Sequence, residues 1–398
     1  MKQTCRVVAS AVLWLALAGQ AIGQCEVFRA NGDQYDVLGD SVGVHGDWLV
    51  YTQRWVVHVM HWTGARWTHY TDLTLPSYVG QVDVYGDVIV AGVLGDSDVY
   101  VYRFDGSDWV LEQTLYDQWT NAFQHGRTLD VHGNLLVTCY PLGFPFDNGT
   151  WIYRYTGGQW VEEYSSSAPN VAVATDGYRV LLGSDSSFRV FSYDGSQWDS
   201  GYSSLGIAAG INLNLSGPLA VASAQPDLSG RAQVFRECDG QDEPWCEGTG
   251  FFNVNGDVGL AGDTLALPID DQLKLLHDVQ GQWEAFDVLS GTDADDSFGR
   301  SVEMGGEWIV VGAPKDDTNG EDSGSVYVFR RDVTYVTPDA KGSELGTCEL
   351  PFGTIQGGLS ALGPSGVMLI YAGTYAEAPM VLDSPVNMSA AGGTVRIE

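Results

Sequence analysis

Short runs of alternating apolar and polar residues dominate the chain, and one arrangement of them recurs. An apolar strand, a turn built on glycine, and a second apolar strand read Val42-Gly43-Val44-His45-Gly46-Asp47-Trp48-Leu49-Val50, then Val82-Asp83-Val84-Tyr85-Gly86-Asp87-Val88-Ile89-Val90. Further copies begin at Leu129, Val171 and Val302, and weaker ones centre on Ser216-Gly217 and Gly262-Asp263. The turn glycines Gly46, Gly86, Gly133, Gly177, Gly217, Gly262 and Gly306 lie 40–47 residues apart. Alternation with a period of two, cut by glycine turns, predicts β-hairpins, because glycine supplies the positive φ of a tight antiparallel connection. A fixed period of this length marks a stacked repeat.

A second marker follows most of these turns: an aromatic residue, a glycine turn and a tryptophan. It reads Trp62-Thr63-Gly64-Ala65-Arg66-Trp67, Phe104-Asp105-Gly106-Ser107-Asp108-Trp109, Tyr155-Thr156-Gly157-Gly158-Gln159-Trp160 and Tyr193-Asp194-Gly195-Ser196-Gln197-Trp198, with Gln280-Gly281-Gln282-Trp283 as a short form and Trp245 holding the place in the fifth unit. Each period thus contains four antiparallel strands, and seven periods predict an all-β seven-bladed β-propeller over residues 25–332. A lone blade would leave both sheet faces bare, so the blades must pack around a ring. The tryptophans are expected to fill the widening gaps between blades near the rim; exposed stacking on sugars is the alternative. The seventh unit ends after Ser325-Val326-Tyr327-Val328-Phe329 without its tryptophan strand. Residues 26–35 read as a stray third-and-fourth-strand hairpin with Tyr35 in place of the tryptophan. The N-terminal segment is therefore expected to complete the last blade, both ends competing for its third strand.

Phe298-Gly299-Arg300-Ser301-Val302, then Val311-Gly312-Ala313-Pro314 and Ser323-Gly324-Ser325-Val326-Tyr327-Val328-Phe329, resembles the FG-GAP repeat of integrin α-subunit propellers. Phe298, Gly299, Gly312, Ala313 and Pro314 carry the resemblance; the other six units match by spacing more than by letters. It implies a seven-bladed propeller serving extracellular adhesion or ligand recognition. It also implies calcium held in an acidic loop between the first two strands of a blade. Here that connection is two residues, Gly306-Glu307 or Gly46-Asp47, which cannot surround Ca²⁺ with six or more oxygens. Asp316, Asp317, Asn319 and Asp322 are the best remaining candidates for a weak calcium site, but they lack the full ligand spacing, and a solvated acidic loop is the simpler reading. No other cofactor is expected.

Charge and export narrow the partners. The chain of 398 residues has 19 Lys plus Arg against 51 Asp plus Glu, a formal charge of -32. Nucleic acid and anionic membrane surfaces are thereby disfavoured. Residues 1–24 read as a signal peptide: Lys2 and Arg6, an apolar run from Val7 to Leu17, and small residues ending Ala21-Ile22-Gly23. No later stretch is long and apolar enough to span a bilayer, so a secreted, extracellular or periplasmic protein without membrane insertion is expected. Lipidation of Cys25 is the alternative, opposed by Gln24 where a small residue is needed. Cys238 and Cys246 flank a turn and are expected to form a disulfide, while the pairing of Cys25, Cys139 and Cys348 stays open.

No catalytic residues emerge. Gly39-Asp40-Ser41-Val42-Gly43 fits a nucleophile-elbow pattern but enters a strand rather than a helix. His58 and His61, three apart in a strand, face opposite sides and are not a ligand pair. After residue 332, Tyr335-Val336-Thr337-Pro338, Pro351-Phe352-Gly353-Thr354-Ile355-Gln356 and Tyr371-Ala372-Gly373-Thr374-Tyr375-Ala376-Glu377 resemble the opening of pectin-lyase-type parallel β-helices. That resemblance implies a short β-helix-like cap over 333–398. Its helix would bury Ile355, Leu359 and Leu362, and its strands would lie near 367–371, 386–388 and 395–397. Only Lys341 and Arg396 are basic there, too few for lyase chemistry. The expectation is a secreted, non-catalytic recognition or adhesion protein with an extracellular protein or glycan ligand. A carbohydrate-binding or polysaccharide-active protein using the tryptophans and the tail is the alternative.

Overall fold

The computed structural model describes residues 26–398 except 96–97, 117–125, 141–148, 168–169, 185–186, 206–211, 224–229, 238–244, 293–295, 332, 341–350, 363–366 and 378–386. Seven four-stranded antiparallel sheets follow one another along the chain as blades 1 to 6, spanning 42–74, 79–116, 128–166, 172–205, 212–252 and 259–290, and blade 7. Blade 7 takes three strands from Ser301–Gly305, Trp308–Ala313 and Ser325–Arg330, and its fourth from Glu26–Asn31. Neighbouring inner strands touch all the way round, including those of blades 7 and 1, so the ring is closed.

The packing follows from where each strand sits. Second strands lie between two flanking blades and are largely apolar: Val88–Val93, Leu135–Tyr140 and Trp308–Ala313 are buried at every position. Outer strands face solvent on part of their surface, as Trp109–Tyr116 does, buried only at Trp109 and Leu115. Each adjacent pair of blades shares one hydrophobic cluster, for example Val50, Val59, Val84, Ile89 and Trp109 between blades 1 and 2. The core is thus a circle of seams.

Terminal closure corrects one expectation. The N-terminus supplies only the fourth strand, paired with the third strand from Asn31 opposite Ser325 to Glu26 opposite Phe329. Tyr35 is outside that strand, exposed, at φ 65°, donating its hydroxyl to Glu321 Oε2 at 2.8 Å. It does not stand in for a tryptophan, because a strand reached from the N-terminus needs no hairpin turn ahead of it.

The rim tryptophans do pack into the seams. Trp67, Trp109, Trp160 and Trp245 are buried, and Trp198 and Trp283 are half-buried. Trp67 meets Trp308 of blade 7 edge-on at 5.0 Å, and Trp109 meets Trp48 of blade 1 at 5.1 Å. Trp160 and Trp198 donate Nε1 to Glu112 and Glu163 on the outer strand of the preceding blade, at 3.2 and 3.0 Å. Arg103 and Arg154 complete these clamps, each paired with that glutamate and lying over Tyr155 or Tyr193 of the next blade.

Beyond the ring, Val333–Val336, Val367–Tyr375 and Asn387–Ile397 form a small parallel three-stranded sheet. The short helix Ile355–Ala361 is capped by Thr354, whose Oγ1 accepts the Gly357 N–H. Ile355 is buried against Val336, Met368 and Ile370, and Leu359 and Leu362 pack on the same cluster. The expected separate strands near 386–388 and 395–397 are one strand, whose register against its neighbour shifts between Tyr371 and Gly373.

Candidate functional site: an acidic axial channel

An inner strand is the free edge of its blade, and its side chains face the ring axis at every second residue. The seven inner strands enclose two connected cavities of about 260 and 310 Å³ that share Gln81, Val173, Asn212 and Glu303 in their walls. The mouth at the strand starts carries Asp40, Arg127, Asp257 and Arg300. Deeper in, the wall carries Asp83, Asp130 and Glu303 and includes neither lysine nor arginine. At the far end His45, Tyr85 and His132 stack, with ring centroids 3.9 and 4.1 Å apart. Burial holds both histidines below their usual range, so they are uncharged at neutral pH.

Several wall residues serve the edge strands. Ser41 Oγ accepts the Val82 N–H at 3.0 Å, Asp83 Oδ2 the Val131 N–H at 2.9 Å, and Asp130 Oδ2 the Thr175 N–H at 2.6 Å. Each side chain thereby satisfies a backbone donor on the following blade that no ladder could reach. Glu303 takes its backbone support from the Met304 N–H of its own strand.

This arrangement opposes ionisation. Asp130 and Glu303 are pushed well above the usual carboxyl range, first by burial and then by neighbouring carboxylates, and burial raises Asp83 as well. Asp257 is pushed up to about 7 by burial, with Asp40 adding to the shift and Arg300 and Asn212 opposing it. The folded ring therefore keeps protons that the unfolded chain releases above the ordinary carboxyl range. The stability these groups contribute should be full below about pH 4, fall as pH rises from there to about 7, and level off above it. Asp257→Asn keeps the side-chain size and should raise stability at pH 8 by roughly 1–3 kcal/mol, with a smaller gain at pH 5 and little change near pH 4. Urea unfolding across that range checks this; a parallel offset at every pH would contradict it.

The sequence-stated candidates fall elsewhere. Asp316 is fully buried and accepts from Tyr327 Oη at 2.7 Å, the Thr318 N–H at 2.8 Å and Thr292 Oγ1 at 3.2 Å. Asp317 accepts the Asp322 N–H, and Asn319 donates to the Gly32 carbonyl. These residues share one loop but spend their polar atoms tying it to itself and to the N-terminal segment. Cys139 is buried and unpaired, its thiol pushed up to about 12 by burial. Cys246 lies in the outer strand of blade 5 opposite Arg236, while Cys25, Cys238 and Cys348 are outside the described residues. The channel acids were missed, yet they carry a signal: Asp83, Asp130 and Glu303 each stand three residues before a turn glycine, in an otherwise apolar strand.

The repeat markers have packing roles. Phe298 is buried against Tyr327 at 5.2 Å, edge-on; Ala313 and Pro314 are buried; Gly299 sits at φ +89° against Pro268 of blade 6, and Gly312 against Gly39 on the way into blade 1. Residues 288–329 match the family model of the FG-GAP repeat. The seventh blade carries that repeat. No curated protein matches the chain in sequence. Among solved structures, a chain of the mitotic checkpoint complex is similar with a TM-score of 0.56 at 12% identity, covering 81% of this chain and 99% of that one. The WD40 repeats of RRP9 reach 0.55 at 11% identity, covering 78% and 99%. A functionally unknown protein from Desulfotomaculum acetoxidans DSM 771 reaches 0.55 at 11%, covering 72% and 100%. At these identities the likeness is one of fold, a β-propeller.

Proposed function

We propose that the chain is an exported, non-catalytic recognition protein that receives a cationic group of an extracellular protein, such as a lysine or arginine side chain, in its axial channel. One observation carries the reading: three enclosed carboxyls face the channel, and among the described residues that line that stretch there is no lysine or arginine. Burial and mutual repulsion resist their ionisation, so an entering cation would supply the missing counter-charge where screening by water is weak. The cavities accommodate a side chain or small amine, not a folded domain. A protein ligand is favoured over a glycan because the repeat tryptophans Trp67, Trp109, Trp160 and Trp245 are buried in the seams rather than presented for stacking on sugars. Export, the Cys238–Cys246 bridge, and a β-helix-like cap built from the C-terminal sheet belong to the same proposal.

A labelled oligolysine peptide and its fully acetylated counterpart, titrated against the full chain, test it. The charged peptide should bind, more tightly at pH 8 than at pH 5, and the double variant Asp130→Asn, Glu303→Gln should weaken binding about tenfold or more. Equal binding of the acetylated peptide, or no loss in the double variant, would overturn the reading.

A further inference from the structure

We propose that blade 1 carries a divalent transition-metal site made by His58, His69 and Asp72, with zinc as the reference ion. Among the described residues this is the one group of three or more His, Cys, Asp or Glu whose ligand atoms all lie within 4.8 Å of one another. His58 Nδ1 and His69 Nε2 each stand 2.7 Å from Asp72 Oδ1. Two imidazoles and a carboxylate are a donor set for zinc and its first-row neighbours rather than for calcium, which prefers oxygen alone.

The backbone explains how a strand brings these three together. His69 and Asp72 are three apart and would face opposite sides of a regular strand. Between the third and outer strands of blade 1 the register shifts, His58 pairing with Asp72 and Val59 with Thr71, but Met60 with His69. Tyr70 is the extra residue of a β-bulge, and that one insertion returns His69 to the face of Asp72 and His58. Blade 2 has the same shift, yet its corresponding positions hold Tyr100, Leu111 and Thr114. The scaffold thus offers this geometry more than once, and blade 1 fills it with ligands. His61 stays apart on the other face, against Trp48 at 4.5 Å.

Orientation and access also fit. His58 Nε2 is 2.6 Å from Gln53 Oε1, an acceptor that keeps the proton on Nε2 and leaves the Nδ1 lone pair for an ion. His58 is mostly buried beside the Tyr51 ring at 4.9 Å, which fixes one ligand. His69 and Asp72 have side chains about half exposed, at 54% and 46%, so water can fill the remaining positions. Without metal, the two nitrogens are in hydrogen-bond contact with Asp72 Oδ1. A cation replacing these contacts needs bonds of about 2.0–2.1 Å, which near the tetrahedral angle place ligand atoms roughly 3.3 Å apart. The present contacts must lengthen by only about half an ångström, a change within reach of two exposed side chains.

Zinc chloride titrated into the purified full chain by calorimetry, with Co²⁺ as a spectroscopic stand-in, tests the site. One saturable ion per chain is expected, with Co²⁺ visible bands of a nitrogen-ligated site. His69→Ala and Asp72→Asn should each weaken binding at least about tenfold, and Gln53→Leu by about tenfold through loss of the tautomer-fixing contact. Both side chains of the first two variants are exposed, and circular dichroism verifies that the folds match. Binding unchanged in these variants would mean diffuse association with the acidic surface and would overturn the proposal. So would the absence of saturable binding, which would leave the three residues a hydrogen-bonded cluster.

Discussion

Deleting residues 26–31 is expected to abolish the single cooperative unfolding transition of the ring. The segment is the whole fourth strand of blade 7, bonded along Ser325–Arg330. Val27, Phe28 and Ala30 pack on the cluster that joins blades 7 and 1, with Trp308, Val326 and Val328. Arg29 lies over the Tyr327 ring at 4.4 Å, and Asn31 Oδ1 accepts from Ser325 Oγ at 2.9 Å. Removing it bares a hydrophobic strand edge and the joint where the circle closes, a loss on the order of the 5–15 kcal/mol that a domain possesses. Size-exclusion chromatography should find self-association, and urea unfolding a broadened transition. A monomer with an unchanged midpoint would show that closure does not depend on this strand.

Gly312→Ala is expected to destabilise the ring by about 4 kcal/mol or more, among the largest effects of any single methyl. A Cβ at this position would overlap the carbonyl oxygen of Gly39, which is backbone and cannot rotate away. It would also strike Ser301 Oγ, which donates to that same oxygen at 2.8 Å. Gly46 is the contrast. It sits at φ +60° with open space around it, so alanine there meets only the left-handed backbone penalty of roughly 1–2 kcal/mol. Urea unfolding of the two variants side by side measures the difference, and similar losses would remove the packing explanation of the glycine in this motif.

Much of the architecture was legible because the repeat exposes its own logic. Turn glycines at a steady period, second strands largely apolar and a tryptophan near the start of the outer strand each follow from burying a sheet between two others, and the structure places them so. What was not legible depends on contacts across the ring or on local irregularity. Asp83, Asp130 and Glu303 look like three acids among 51 Asp and Glu until the ring turns their strands toward one axis. The His58–His69 pairing was invisible because strand parity forbids it, and only a bulge at Tyr70 reverses that parity. Tyr35 was misplaced because a hairpin pattern was extended past a strand that arrives without one. The family resemblance was sound where Phe298, Gly299, Gly312, Ala313 and Pro314 stand, since those residues record packing between blades.

The axial bonds from side chain to backbone run one way. Ser41 holds the backbone of blade 2, Asp83 that of blade 3 and Asp130 that of blade 4, each blade clasping its successor. The circle therefore has a hand, like people standing in a ring with each gripping the shoulder of the person ahead. A lesion at one such side chain leaves an unpaired N–H on the inner edge of the next blade, so the cost of a change in one blade is felt in its neighbour.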